Sequence, residues 1–350
     1  MVCVAAFIIL CILSVFVGAL SIFRRDIGKK YWVVFGKSWG CVAKRVTFRK
    51  CDTKFKDDIK NSVLKKVILK RPKWVKPISI GIEVTSVLIV LITVWSLIEG
   101  AKAGLALYAL GSCNVQQPNA CVVGNVDVCP ANEGINWFQE WGVIFAAIPD
   151  RWRDWNADNF MPEQPVFRTF VEGRSTAIDI LDPGCDICLQ SYRNQLAEGF
   201  FDRQNVVLIP FPTAAATRDY RYHNSYLVST YILAAHEVWG DREGISAGWQ
   251  ILDKLFMDSG MQGEIPVIYQ AIMKADYTSE EDARELMEGW LAEFGMNEEE
   301  VARVRELADS DSVKQRMEAN RDLVKNRIRI TGVPTLIFNG RKHTGVFTGE

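Results

Sequence analysis

Two cysteines, Cys185 and Cys188, are the residues of this chain best suited to chemistry, and Asp186 and Ile187 lie between them. They follow a short apolar run with the composition of a strand, residues 177–181, and precede an amphipathic helical pattern. The first cysteine is therefore expected at a helix N-terminus, where unpaired N–H groups and the helix dipole favour a thiolate. Cysteines three positions apart on one helical turn can close a disulfide that another thiolate reopens. The sequence predicts a redox-active dithiol.

A zinc site is the main other use of such a cysteine pair. Structural zinc needs four ligands, usually a second cysteine pair or a histidine pair. The chain has no second pair of this spacing, and His223, His236 and His343 lack ligand spacing. Glycine motifs for a nucleophile elbow, a phosphate loop or a dinucleotide are also absent. We therefore expect neither a metal nor another cofactor at the cysteine pair.

Two long apolar runs enclose a basic segment in the N-terminal part of the chain. Residues 1–23 are uncharged and long enough to span a bilayer, and residues 78–100 form a second apolar run that contains Glu83 near its start. Residues 24–77 are rich in lysine and arginine, which keep short loops in the cytoplasm. This flanking by two spans argues against a nucleic-acid-binding patch. An uncleaved anchor is favoured over a signal peptide because Arg24 and Arg25 follow the first run. The pattern predicts two spans with both termini outside the cytoplasm.

Three further cysteines, Cys113, Cys121 and Cys129, fall in the predicted extracytoplasmic part, where disulfides persist. One structural disulfide and one spare thiol is the simpler expectation, and the pattern does not say which two cysteines are bonded. A relay that passes electrons to the Cys185–Cys188 dithiol is the alternative.

These cysteines belong to a linker region rich in Cys and Trp, residues 101–160. Within it, Trp137, Trp141, Ile144 and Ile148 recur at helical spacing. The predicted helix either lies at the membrane interface, with Trp at headgroup level, or packs on the soluble domain.

From residue 166 onward the pattern is that of an α/β domain. Strands are predicted at residues 166–171, 177–181 and 206–211, and the cysteine helix between the last two makes a βαβ unit. A long helical stretch follows, in which Thr278 with Glu281 and Asn297 with Glu300 have capping-box spacing. Gly295 is suited to the left-handed end of a helix. The chain then has a strand at 335–338, the turn Asn339-Gly340 and a returning strand at 341–347.

This order resembles the DsbA-like branch of the thioredoxin superfamily. The matching pieces are CDIC, the strand segment DRQNVVLIPFPT, and the run from LAEFGMNEEE to RIRITGVPTLIFNG. The resemblance covers roughly residues 166–349, about half of the chain. It implies an α/β, thioredoxin-like domain at 161–350 with a helical insertion at about 216–328. The family normally closes its sheet with one more helix. Because the chain stops after the last strand, we expect either a truncated sequence or a covering role for the helix around residues 137–148.

The resemblance also implies roles for individual residues. The peptide bond before Pro334 would be cis, and the backbone of Val333 would bind an extended substrate segment. Cys185 would form the mixed disulfide with substrate, and Cys188 would resolve it. Val333 before the proline resembles the oxidase members. Asp186 beside Cys185 disfavours the thiolate, so Asp186 and Ile187 are expected to make the disulfide a weaker oxidant than in the strongly oxidising relatives.

The sequence therefore predicts a membrane-anchored, extracytoplasmic thiol–disulfide oxidoreductase that oxidises cysteines of exported proteins. A quinone-linked reoxidase or a reductant in the membrane would reset its dithiol, and nucleic acid is not an expected partner. Two alternatives stay open: a disulfide reductase or isomerase, and a redox-inactive module that uses the same fold to hold a peptide.

Overall fold

The computed structural model describes residues 8, 9, 11, 32–33, 35–40, 44, 72–120, 127–132, 134–214, 219–240, 242–257, 261–262, 265–274 and 278–348. Most of the predicted first span and basic loop, and Cys121, lie outside these residues. The chain divides into two compact units, Met1–Ala101 and Lys102–Glu350.

One long apolar helix, α1, covers Val75–Leu110 and follows a 3₁₀ turn at Pro72–Trp74. Its 36 residues correspond to about 54 Å, which exceeds the ~30 Å hydrocarbon thickness of a bilayer. Apolar side chains such as Ile92 and Leu97 are 64% and 68% exposed. Within the described part of the chain, α1 is the one helix with the length and composition of a membrane span. A helix of this kind is therefore present where the second span was predicted, whereas the two-span topology stays a prediction, because most of the first predicted span lies outside the described residues.

The second unit is built on a mixed sheet. The strands of the sheet are β2 Val166–Phe167, β3 Thr176–Leu181, β4 Asn205–Pro210, β8 Thr335–Phe338 and β9 Arg341–Thr344. Two short two-stranded ladders are formed by β1 Cys129–Pro130 with β7 Gly332–Val333, and by β5 Met261–Gln262 with β6 Ile265–Pro266. The five-stranded sheet has the order β2-β4-β3-β8-β9. Strands β3 and β4 are parallel, whereas β2, β8 and β9 are antiparallel to their neighbours. Every residue of β4 is buried, as expected for a central strand covered on both faces.

Helices cover this sheet and form a large insertion between β4 and β7. The α-helices after α1 are α2 Trp137–Ala147, α3 Asp186–Ala197, α4 Phe200–Arg203, α5 Ser225–Trp239, α6 Ala247–Met257, α7 Val267–Tyr269, α8 Glu280–Glu293, α9 Glu298–Asp309 and α10 Asp311–Asp322. Two π-helical segments, Gln270–Lys274 and Leu323–Ile328, and three 3₁₀ turns, Pro118–Ala120, Ile148–Trp152 and Ala157–Phe160, complete the described elements.

The predicted helix boundaries in the insertion hold in part. Asn297 caps α9 in a full capping box with Glu300, and Gly295 has a φ of +96°, so both predictions are confirmed. The box predicted at Thr278 and Glu281 is wrong by one position. Ser279 is the N-cap of α8, and its side chain and that of Asp282 exchange hydrogen bonds with each other's backbone N–H groups.

Helix α2 contributes to a small apolar cluster of its own. Its buried residue Ile144 packs with Ala106 and Val115 in a cluster separate from the main core. The segment after α2 supplies Trp155 and Phe160, which stack on each other and belong to the main core. Ile144 thus packs on residues of its own unit, and the choice between the membrane interface and the soluble domain for α2 stays a prediction.

A cis peptide bond between Val333 and Pro334 separates β7 from β8. The turn after β8 uses Asn339 and Gly340, both with positive φ, as the Asn-Gly pair predicts. A βαβ unit with a cysteine pair at its helix, followed by a helical insertion and a cis-proline hairpin, is a thioredoxin-like α/β fold. The fold implied by the resemblance is therefore confirmed.

Candidate active site

The cysteine pair lies at the junction of β3 and α3. Cys185 is the N-cap residue of α3, with extended backbone angles, and Cys188 lies in the first helical turn. Both side chains are buried, with 0% and 1% of their surface exposed. Cys188 is a free thiol, but Cys185 is bonded to Cys129, with the two Cα atoms 6.4 Å apart. The cysteine pair is thus present at the predicted place, with its N-terminal sulfur engaged by a cysteine 56 residues away.

The cis-proline segment lies directly against Cys185. Strand β8 pairs with β3 in the register Ile180↔Thr335, which brings the start of β8 to the end of β3 that carries the cysteines. The Val333 carbonyl oxygen is 4.0 Å from Cys185 Sγ. The Thr335 hydroxyl holds the backbone on both sides of Pro334 in place, because it donates to the Gly332 carbonyl oxygen at 2.7 Å. Cys185, Val333 and Pro334 therefore lie together, and their role as one site stays a prediction.

Residues 128–131, which we call the Cys129 segment, lie along the edge of β7 next to this proline. Strand β1 pairs antiparallel with β7, with Cys129 opposite Val333 and Pro130 opposite Gly332. The Ala131 N–H extends the ladder by donating to the Thr331 carbonyl oxygen at 3.0 Å. The Cys129 segment therefore takes the position of an added strand at the backbone of Val333.

A buried carboxylate, Asp182, holds the turn before Cys185. Its Oδ1 accepts from the Gly184 N–H at 2.8 Å and from the Ser225 hydroxyl, and its Oδ2 accepts from the N–H and hydroxyl of Thr213 at 2.8 and 2.7 Å. Burial raises the pKa of Asp182, and these hydrogen bonds oppose the rise. Asp182 thus joins the cysteine turn to the loop after β4 and to the start of α5.

Cys188 lies among acidic groups. The Asp182 N–H donates to Cys188 Sγ at 3.4 Å. Cys188 and Gln195 are seven residues apart on α3 and so share one helix face, and the Gln195 amide donates to Asp179 at 3.0 Å. Burial raises the pKa of the Cys188 thiol well above its usual value, and the charges of Asp182, Asp179 and Asp186 raise it further. In this state Cys188 is held as a protonated thiol.

Asp179 is the second buried carboxyl group beneath this helix. Burial raises its pKa to about 7, although the hydrogen bond from Gln195 lowers it. Its Oδ1 atom has no hydrogen-bond partner among the described residues. A carboxyl group with a pKa near neutrality can accept and release a proton under physiological conditions.

The residues between the cysteines have different surroundings. The Tyr269 hydroxyl lies 2.8 Å from Asp186 Oδ1 and 2.5 Å from the Gly184 carbonyl oxygen. Ile187 is partly buried and packs against the core. The Tyr222 ring covers the turn so closely that a Cβ on Gly184 would lie 2.3 Å from the Tyr222 Cβ atom. Sequence reasoning missed Tyr222 and Tyr269, since no local pattern connects the insertion to the cysteine turn.

The remaining cysteine and metal predictions have these outcomes. Cys113 is disulfide-bonded, and Cys121 lies outside the described residues. Cys129 is bonded to Cys185 and is not spare. Among the described residues, no group of three or more His, Cys, Asp or Glu side chains is arranged to hold a metal ion.

A scan of protein-family models finds no match to the chain, and a search of curated proteins finds none. Among solved structures, alpha-DsbA2 of Wolbachia pipientis, a thiol–disulfide exchange protein, has a TM-score of 0.36 at 15% identity, covering 61% of this chain and 94% of its own. DsbA of Pseudomonas aeruginosa has a TM-score of 0.30 at 14% identity, covering 52% of this chain and 78% of its own. MdbA of Corynebacterium matruchotii, a thiol–disulfide oxidoreductase, has a TM-score of 0.31 at 14% identity, covering 54% of this chain and 91% of its own. These solved structures, to which the chain is similar, are thiol–disulfide oxidoreductases of the DsbA type.

Proposed function

We propose that the protein is a membrane-anchored, extracytoplasmic thiol–disulfide oxidoreductase that oxidises cysteines of exported proteins. The observation that carries this proposal is the disulfide of Cys185 beside the cis Val333–Pro334 bond, with a free Cys188 in the next helical turn. This arrangement is that of a mixed disulfide awaiting resolution, with the attacking, resolving and backbone-binding groups in one place.

The chemistry follows from these positions. With Cys185 and Cys188 joined, a substrate thiolate attacks Cys185 Sγ, and Cys188 leaves as a thiolate that takes up a proton. A second substrate thiolate then attacks the substrate sulfur of the mixed disulfide and releases Cys185. The substrate gains a disulfide, the Cys185–Cys188 dithiol is reduced, and a membrane oxidant, such as a quinone-linked reoxidase, restores it.

Asp179 is suited to carry the proton of the resolving thiol. Its carboxyl group lies beneath the α3 face that carries Cys188 and Gln195, and its pKa is raised to about 7. It can therefore accept the proton of the Cys188 thiol when Cys188 attacks, and return it when Cys188 leaves as a thiolate.

The anchoring part of the proposal depends on α1 and the basic segment before it. Exposed apolar side chains on α1 suit a lipid environment, and lysine and arginine in residues 24–77 favour a cytoplasmic loop. Exposed Phe138 and Trp152, 78% and 73% accessible, are of the type found at membrane interfaces.

The test is oxidation of a reduced, unfolded protein by the full chain in detergent, with glutathione disulfide as the terminal oxidant. We expect catalysis that is lost in Cys185→Ser, while the exposed control Ser312→Ala retains it. Equal rates for Cys185→Ser and the unaltered chain would favour the redox-inactive peptide-binding module. Net reduction of a disulfide-bonded substrate would favour a reductase or isomerase.

A further inference from the structure

The Cys129 segment packs so closely against β7, the strand before the cis proline, that a side chain at Gly332 would not fit. A Cβ on Gly332 would lie 2.8 Å from the Cys129 carbonyl oxygen and 2.9 Å from Val128 Cβ. Gly332 does not have a positive φ, so its own backbone conformation does not require glycine. The missing side chain is needed for the close approach of the Cys129 segment.

Other groups hold the segment from both sides. The Tyr222 hydroxyl lies 3.1 Å from Cys129 Sγ, and because this sulfur carries no proton in the disulfide, the hydroxyl is the donor. Arg221 donates to the Pro130 carbonyl oxygen at 3.4 Å. The Asn119 side chain accepts from the Val128 N–H at 3.1 Å and donates to its carbonyl oxygen at 2.9 Å.

Burial of the segment agrees with these contacts. Val128, Cys129 and Ala131 are only 2%, 6% and 4% exposed. Peptide strands that bind a sheet edge combine backbone pairing with side chains in pockets, and this segment has both.

We infer that Cys129 is a third redox-active cysteine of the site, which exchanges its disulfide with Cys185 in competition with substrate thiols. This inference rests on the proposed function, because it assumes that the Val333 edge and Cys185 are the substrate site.

The exchange needs no outside oxidant. The Cys188 thiolate attacks Cys185 Sγ, the Cys185–Cys129 bond breaks, and the Cys185–Cys188 bond forms. Cys129 leaves as a thiolate and takes up the proton that Cys188 gave up, so the oxidation state of the chain is unchanged. In the reverse step the Cys129 thiolate attacks Cys185 and Cys188 leaves. The buried, acidic surroundings of Cys188 disfavour its thiolate, which slows its attack on Cys185 and lets the Cys129-bonded form persist.

The first test maps disulfides in the oxidised full chain in detergent. Free thiols are blocked with a maleimide in acid, and linked peptides are identified by mass spectrometry. We expect a Cys129–Cys185 linkage in molecules whose Cys188 is alkylated. Recovery of Cys185 solely in linkage to Cys188, with Cys129 alkylated throughout, would overturn the inference.

The second test displaces the segment without removing a cysteine. Gly332→Ala introduces the close contacts described above, and overpacking of this kind should reduce the Cys129–Cys185 fraction roughly tenfold. Gly142→Ala is the matched control, because a Cβ there meets nothing within 4 Å. Asn119→Ala, which removes the two hydrogen bonds to Val128, provides a second variant in case Gly332→Ala does not fold. A linkage fraction equal to that of the control in both variants contradicts the inference.

The third test measures competition. A tethered segment has an effective concentration of about 1 mM, roughly a hundred times that of a substrate at about 10 µM. Cys129→Ala should therefore raise the initial rate of substrate oxidation roughly tenfold or more. An unchanged or lower rate overturns the inference while the proposed function stands, whereas activity that persists in Cys185→Ser removes the proposed function itself.

Discussion

Replacement of Asp179 by Asn should remove a large pH dependence from the stability of the protein. Asp179 is buried, and burial raises its pKa from 3.8 to about 7. Asn has nearly the same shape, and its side-chain oxygen can still accept the hydrogen bond that the Gln195 amide donates to Asp179. The variant therefore removes the ionisable group and leaves the packing nearly unchanged.

The sign and size of the effect follow from linkage. A raised carboxyl pKa means that the folded state keeps a proton that the unfolded chain has released, so stability falls as pH rises from about 4 to 7. With the two pKa values above, the loss between pH 5 and pH 8 is about 3 kcal/mol. Asp179→Asn should lack this loss, while the contribution of Asp182, whose pKa is also raised, stays in both proteins.

The assay is denaturant unfolding of the oxidised full chain in detergent, followed by tryptophan fluorescence at pH 5 and pH 8. The quantity of interest is the free energy of unfolding of the variant minus that of the unaltered chain. It should increase by about 3 kcal/mol from pH 5 to pH 8. Asp311→Asn is the matched control, because the Asp311 side chain is 93% exposed. A difference for Asp179→Asn that does not change with pH would refute the reasoning about the buried carboxyl group.

Three further predictions concern residues around the site. Asp182→Ala should lower the free energy of unfolding by about 3 kcal/mol or more, because its buried donors lose their acceptor; chemical denaturation checks this, with exposed Asp202→Ala as control. Arg168→Met should lower the free energy of unfolding by about 3 kcal/mol, because it leaves the Asp253 carboxylate without its 3.0 Å ion pair. The double variant Arg168→Met with Asp253→Leu should recover part of this loss. Equal stabilities of the single and double variants would contradict the prediction. Asp186→Asn should make the Cys185–Cys188 disulfide more oxidising, because a carboxylate beside Cys185 disfavours its thiolate; equilibration with glutathione measures this, and an unchanged potential would count against the idea.

Much of the fold was predictable because short sequence patterns specify the same turns and helix ends that the folded chain needs. The Asn339-Gly340 turn requires two positive φ values that these residues tolerate, and Asn297 with Glu300 supplies both halves of a capping box. Strand lengths were less predictable: the strand expected at 166–171 is only Val166–Phe167. Beyond it, the Val171 backbone bonds to the Asn205 side chain, a contact between residues 34 positions apart that no local pattern reveals.

The candidate site divides in the same way. Cys185, Cys188 and Pro334 belong to local motifs and could be found in the sequence. The link from Cys129 to Cys185 could not, because it depends on how a loop-like segment meets a strand roughly 200 residues later in the chain. One signal was present: an odd number of extracytoplasmic cysteines outside the pair leaves one without a partner among themselves. Asp179 and Asp182 were hidden for another reason, since a short strand pattern does not show which polar residues are buried.

The most direct test of the central claim is to trap the substrate complex in cells that produce the full chain. Cys188→Ala removes the resolving thiol, so mixed disulfides formed at Cys185 should accumulate. Cys129→Ala is combined with it so that the internal disulfide cannot occupy Cys185. The account predicts several adducts with exported, cysteine-containing proteins on non-reducing gels, all released by reductant and all lost when Cys185→Ala is added. No adducts, or adducts that persist without Cys185, would contradict it.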